Sequence, residues 1–307
     1  MRLFAGIDVG QSATKAALAD ERGRILARAS GGAGDELGLG AASTRLRDSV
    51  EAALAAAMRR ARIPQSMRIE SAVVGISGFD TRLQGRHPRI AARHLRYTHD
   101  SEIALVGAHG GEPGIAAIAG TGSVVVARAR DGSEVRVGGH GYLFGDEGSA
   151  FGLARDVMRA LLLETDAGRT GALRSAFERH FGASVAECAR QFYEGAIART
   201  EIAAFAPAIL AQAEGGDRTA RALLRAHARA LAEQIRVAAR RARLRAPSVA
   251  LLGGLGEAPR FSRALRGSLR ALLPGAQVRR ARYDGALGAL LLAFAQAGLA
   301  APDLEER

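Results

Sequence analysis

Residues 3–18 carry the first chemistry legible in this chain. An apolar run at 3–7 enters a turn bearing Asp8, Gly10, Gln11, Ser12, Thr14 and Lys15, and a second apolar run at 16–19 leaves it. A glycine at position 10 lets backbone approach a ligand where a Cβ would clash. The N–H groups that follow, with the hydroxyls of Ser12 and Thr14, can wrap phosphate oxygens. Asp8 can face a Mg²⁺ ion, directly or through its waters, because hard cations take oxygen ligands. A second turn of the same type, Gly120-Thr121-Gly122-Ser123, follows the apolar run 115–119 and leaves through 124–127. Two further glycine turns follow: Gly253-Gly254 after the run 249–252, and Gly285 after Asp284. Between them lies the glycine-rich stretch 138–148, with Gly139, His140, Asp146 and Glu147.

The elements that must position these groups can be read from periodicity. An apolar run, a polar glycine turn and a returning apolar run make a β-hairpin with functional groups at its tip. Two such hairpins, 110 positions apart (Gly10 to Gly120), suggest a duplicated domain with a nucleotide held between the halves. Residues 30–42 read as a glycine-rich loop containing Asp35. Ser43 or Thr44 starts a helix with an apolar stripe of Leu46, Val50, Leu54 and Met58, closed by Pro64. A strand at 69–76 ends in Ser77-Gly78. A run at 90–97 leads to Asp100, ahead of a helix at 102–108; an aspartate there is either an N-cap or a functional carboxylate. Residues 151–245 are helical almost throughout. A helix at 259–272, a strand at 276–280 and a last helix at 285–296 complete the chain.

Composition narrows the function classes. At 307 residues with 48% hydrophobic and 24% charged content, the chain can build two domains with real cores. No apolar run approaches the roughly 20 residues of a membrane span, and an acid at position 8 interrupts any signal-peptide core; a cytoplasmic protein without a membrane is the expectation. Cys188 is the single cysteine, too few for a four-thiolate iron–sulfur cluster. Net charge is +12, yet Lys15 is the only lysine among the 43 basic residues and asparagine is absent. That bias reflects base composition of a genome. With 5% aromatics and no tryptophan, stacking platforms for nucleic acid are scarce, so no nucleic-acid partner is expected. His87, His94, His99 and His109 share no metal-ligand spacing.

The order of these motifs resembles the sugar kinase, actin and Hsp70 superfamily, and within it the N-acetylglucosamine kinase and BadF-type ATPase branch. The hairpin at 3–18 is similar to that superfamily's first phosphate motif, Gly120–Ser123 to its second, 251–254 to its adenosine motif and 284–289 to its second connecting motif. The run Gly138-Gly139-His140-Gly141 … Gly145-Asp146-Glu147-Gly148-Ser149 resembles the branch's own loop.

The resemblance implies an α/β fold of two duplicated ribonuclease H-like (actin-like ATPase) domains, 1–112 and 113–307, with a nucleotide cleft between them. A helical part at about 150–245 enlarges the second domain, and the last helix packs back on the first. It implies ATP and Mg²⁺ as cofactors, a sugar as acceptor and a homodimer as assembly. It implies Asp8 at the metal and Asp100 as catalytic base. Nucleotide contacts fall on Gly10, Gln11, Ser12, Thr14, Lys15, Gly120, Thr121, Gly122, Ala213, Gly253 and Gly254. Sugar contacts fall on Asp35, Ser77, Gly78, Asp100, Gly139, His140 and Asp146. Two positions depart from the pattern: Asp35 stands nearest the family's sugar-binding asparagine, and His140 stands where tryptophan is usual. Phosphorylation of an amino sugar is the leading reading. A BadF-type ATPase driving a partner protein and a non-catalytic sugar- or nucleotide-responsive regulator are the alternatives.

Overall fold

The computed structural model of the chain describes residues 1–34, 42–79, 82–83 and 85–305. The apolar run at the start becomes β1 (Leu3–Val9), buried at every position except Asp8. Burial on both faces follows from its place as the middle strand of five. β2 (Thr14–Asp20) and β3 (Ile25–Gly31) pair antiparallel in sequence order beside it. After α1 (Arg45–Arg60), β4 (Ile69–Ile76) and β5 (Ala92–His99) add in parallel on the other side, giving the order β3-β2-β1-β4-β5. α2 (Asp100–His109) follows β5 with no intervening residue. Its start at Asp100 is two residues earlier than the periodicity predicts.

The same plan repeats. β6 (Gly114–Ala119), β7 (Ser123–Arg128) and β8 (Glu134–Gly138) form an antiparallel meander. A helical stretch intervenes: α3 (Ala150–Asp166), α4 (Ala172–Phe181), α5 (Val185–Tyr193), α6 (Arg199–Ala203), α7 (Ala206–Gly215) and α8 (Arg218–Arg241). Then β9 (Ser248–Leu252), α9 (Gly254–Glu257), α10 (Pro259–Leu272) and β10 (Gln277–Arg279) follow. β9 joins β6 in parallel and β10 joins β9, so the second sheet reads β10-β9-β6-β7-β8, matching the first strand for strand.

The chain divides into two compact units, Pro113–Arg279 and a discontinuous one of Met1–Glu112 with Arg280–Arg307. α11 (Gly285–Gln296) therefore belongs with the first sheet. Its apolar residues Ala286, Leu290 and Phe294 share a core with Phe4, Val73 and Ile103, and Phe294 stacks on Phe4 with ring centroids 4.2 Å apart. Gly6 permits this approach, because a Cβ there would run into the backbone of Ala286 and Leu290. In the second unit, Phe151, Phe177, Phe205 and Phe261 anchor one core that joins the sheet to the helices.

Two strands are absent from the sequence reading. Ser30 and Gly31 close β3 rather than opening a loop, and β8 was not expected at all. Both are outer strands of their sheets. β3 buries only Ile25 and Ala29, so its apolar alternation is broken, and β8 buries none of its residues, its Glu134-Val135-Arg136-Val137 alternation being too short to stand out from a loop. Among the described residues no helix is long and apolar enough to cross a membrane.

Candidate functional site

In the first unit, the ends of β1, α2 and α11 bring three carboxylates together. Asp8 sits at the end of β1, opposite Lys15 of β2. Burial, then the charge of Asp100, pushes the Asp8 carboxyl up from 3.8 to about 7; Lys15 opposes the shift and Asp284 adds to it. A Cβ at Gly285 would stand 2.6 Å from Asp8 Oδ2, so the backbone at the start of α11 lies against this carboxylate. Asp284 caps α11 by accepting the Leu287 N–H at 3.1 Å and pairs with Arg28. Asp100 is the first residue of α2 and is not its cap. That role belongs to His99, whose Nδ1 lies 3.1 Å from Ser101 N and 2.7 Å from Asp100 Oδ1. The capping alternative for Asp100 thus falls away.

The first glycine turn is tightly closed. Gly10 N–H donates to Ala13 O at 3.0 Å, and Gly34 N–H donates to Gly10 O at 3.2 Å. Ser12 and Lys15 are exposed and Gln11 is half-buried, while Thr14 is fully buried. Gln11 Oε1 and Thr14 Oγ1 are buried without a hydrogen-bond partner among the described residues. Ser77 N–H donates to Val9 O at 3.0 Å, so the Ser77-Gly78 turn begins where β1 ends. Asp35 lies outside the described residues. Among those described, no group of three or more His, Cys, Asp or Glu side chains is arranged to hold a metal by itself. The Asp8 surroundings nevertheless fit a hydrated Mg²⁺, which takes one or two carboxylates and fills its shell with water and phosphate oxygens. A buried acid raised by neighbouring acids is a place where a cation relieves charge.

In the second unit three glycine turns converge. Gly120 N–H donates to Gly122 O at 3.0 Å, and the carbonyls of Gly120 and Thr121 accept from Ala150 N–H (2.8 Å) and Phe151 N–H (3.2 Å) at the start of α3. Gly253 has φ of 84°, and a Cβ there would lie 2.8 Å from Ala119 and Gly120 backbone atoms, so the Gly253-Gly254 turn rests directly on the Gly120 turn. The third turn comes from the 138–148 loop. Asp146 is 4% exposed, and its Oδ1 accepts Ser123 N–H at 3.0 Å. Its Oδ2 is buried without a hydrogen-bond partner among the described residues, with Arg199 Nη1 at 3.8 Å. Gly139 has φ of 70°, and His140 is exposed beside it. Ala213 is buried near the end of α7, and its carbonyl accepts from Arg221 Nε at 2.8 Å.

Three participants escaped the sequence reading. Asp284 stood inside a recognised motif, but its place beside Asp8 depends on the return of α11. Arg28 lies in the unexpected strand β3. Arg199 gave no local signal, being one arginine among many.

The two matching units, each a five-stranded mixed sheet with helices, are the actin-like ATPase fold of sugar kinases. Residues 5–293 match the BadF/BadG/BcrA/BcrD ATPase family, and the chain belongs to it. A candidate N-acetylglucosamine kinase of Chromobacterium violaceum superposes with a TM-score of 0.77 at 30% identity, over 95% of this chain and 99% of that one. A second candidate N-acetylglucosamine kinase, from Porphyromonas gingivalis, gives a TM-score of 0.67 at 19% identity over 96% and 98%, a likeness of fold. An N-acetylmuramic acid/N-acetylglucosamine kinase of Clostridium acetobutylicum is 40% identical over 68 residues, and that match spans 22% of this chain and 22% of its length.

Proposed function

We propose that the protein transfers the terminal phosphoryl group of ATP to a hydroxyl of an amino sugar, with Asp100 as general base. The reading is carried by the pairing of Asp100 with Asp8. Their charges act on each other, and they differ in environment, one pushed to about 7 and the other at a helix start that His99 caps. The full-length similarity to the Chromobacterium violaceum protein supports a sugar acceptor.

Phosphoryl transfer demands alignment and neutralised charge more than covalent help from protein. Bound ATP supplies the phosphoryl group, and Mg²⁺ shields its oxygens. On this reading Asp8 faces the cation. The N–H groups and side chains of Gly10, Gln11, Ser12, Thr14 and Lys15, with the turn Gly120, Thr121 and Gly122, bind phosphate oxygens. Gly253, Gly254 and Ala213 take the adenosine. Asp100 orients the sugar hydroxyl and accepts its proton, a contribution of roughly 10²–10⁴-fold. Asp146 Oδ2, which has no hydrogen bond from the described residues, accepts from a second sugar hydroxyl. Ser77, Gly78, Gly139 and His140 complete the sugar contacts.

Asp35 selects the sugar. An ionised carboxylate near C2 favours a protonated amine over a neutral acetamide, and a charge-assisted hydrogen bond is worth about 1.5–3 kcal/mol. Glucosamine is then the better substrate, and N-acetylglucosamine or a relative the poorer one. An ADP-release assay over a panel of amino sugars tests the whole reading. Sugar-dependent release is expected, with kcat/KM higher for glucosamine and the preference lost in Asp35→Asn. Hydrolysis indifferent to every sugar favours an ATPase, the activity in the family's name, and the alternative that it works with a partner protein. No ADP release at all leaves a binding regulator. A homodimer is the proposed assembly, checked by sedimentation.

A further inference from the structure

The 138–148 loop turns on glycines and carries one residue in a conformation that a side chain rarely adopts. Gly138, Gly139, Gly141 and Gly148 all have positive φ, and so does Asp146 at 64°. Glycine takes positive φ at little cost, whereas Asp146 holds it only where surrounding structure over-determines it. From the strand side, Ser123 bonds Asp146 Oδ1 and, through its hydroxyl, the Glu147 carbonyl at 2.8 Å. From the helical side, two bonds reach the loop backbone at separate points. Arg155 Nη1 of α3 donates to the Tyr142 carbonyl at 3.0 Å. His227 Nδ1 of α8 accepts the Gly148 N–H at 3.0 Å.

These two bonds meet in one carboxylate. Asp156 Oδ1 accepts Arg155 Nε at 3.0 Å, and Asp156 Oδ2 lies 2.9 Å from His227 Nε2. Although burial pushes the Asp156 carboxyl up, the bonds from His227 and Arg155 hold it below the usual carboxylate range. An ionised carboxylate only accepts, so the His227 proton sits on Nε2. That leaves Nδ1 bare to accept from Gly148, and the two bonds require the same neutral tautomer. His227 is 5% exposed and both ring nitrogens are engaged, which leaves it no reach to a substrate.

We infer that Arg155, Asp156 and His227 form a brace that fixes the 138–148 loop at Tyr142 and Gly148, with His227 as a positioning residue for Asp146, Gly139 and His140. The sugar role of those three rests on the function proposed above; the brace itself does not.

Two substitutions separate the nitrogens of His227. His227→Asn places an amide oxygen where Nδ1 was and keeps the acceptor for Gly148. His227→Gln keeps a donor toward Asp156 and abandons Gly148, leaving a buried N–H unpaired. The first readout is amide hydrogen exchange of peptides covering 138–149. Exchange is expected to rise in His227→Gln and to stay near wild type in His227→Asn. Arg155→Met, at a side chain 38% exposed and so of little risk to folding, is expected to raise exchange in the 139–144 half alone. The second readout is kinetic: in His227→Gln the sugar KM rises roughly five- to a hundredfold, the range for an unpaired buried donor, well beyond any change in the ATP KM. Equal exchange in the two His227 variants, or unchanged loop exchange in both His227→Gln and Arg155→Met, overturns the brace. A wild-type protein that phosphorylates no sugar overturns the proposed function, and loop exchange still decides the brace.

Discussion

At the residue scale the proposed chemistry turns on two acids in one unit. Asp100→Asn is expected to lower kcat by at least about a hundredfold, the low end for a positioned base, while ATP affinity by calorimetry changes little. Turnover near wild type removes Asp100 from the mechanism. Asp8 gives a pH signature without any substrate. Its carboxyl is raised in the folded protein from 3.8 to about 7, so the folded state holds the proton more tightly than the unfolded one. The stability this contributes is fully present below pH 3.8 and is lost as pH rises to about 7. Asp8→Asn stays neutral throughout. The Tm difference between Asp8→Asn and wild type, measured without nucleotide or divalent ion, should therefore grow in the variant's favour across that window and level off above it. A difference independent of pH contradicts the buried, acid-crowded setting. Removing the Asp100 charge takes away the second cause of the shift, so Asp100→Asn should move the window downward.

At the element scale the glycine turns separate close packing from ligand space. A Cβ at Gly120 meets nothing within 4 Å, whereas one at Gly253 meets backbone at 2.8 Å in a φ > 0 conformation. Gly253→Ala is therefore expected to destabilise the second unit by about 1–3 kcal/mol, the cost of one strained backbone position. Gly120→Val should leave the melting temperature near wild type and weaken nucleotide binding about tenfold or more in a titration, because its side chain occupies space the fold does not use. Equal loss of stability in both variants would erase the distinction. Neither Gly10 nor Gly120 has positive φ, so backbone conformation does not demand glycine at these tips.

At the scale of the whole molecule, the first unit is built from both ends of the chain. α11 supplies Ala286, Leu290 and Phe294 to the core that Phe4 and Val73 line. Deletion of residues 280–307 should expose that sheet face, so that limited proteolysis cuts within 1–112 while 113–279 resists. Protection of 1–112 equal to wild type would show that α11 is dispensable. Charge at this scale is a surface property: α8 carries a run of arginines, and the residues it buries are Leu224, Leu231, Ile235 and their neighbours.

Sequence alone determined the parts whose signal is local. A glycine turn after a buried strand is legible because strand, turn and return lie within twenty residues. The hairpins at Gly10 and Gly120, the start of α11 at Gly285 and the span of α10 (Pro259–Leu272) all read directly. The duplication was legible for the same reason, since the local pattern occurs twice. Only the tertiary structure decided which groups meet. Asp284 reaches Asp8 because α11 lies on β1, and Gly253 rests on Gly120 because β9 pairs with β6. His227 meets Gly148 across 79 positions of chain. Neither partner of such a pair carries a mark of the other, because the free energy that joins them comes from burying the elements between and not from the residues themselves.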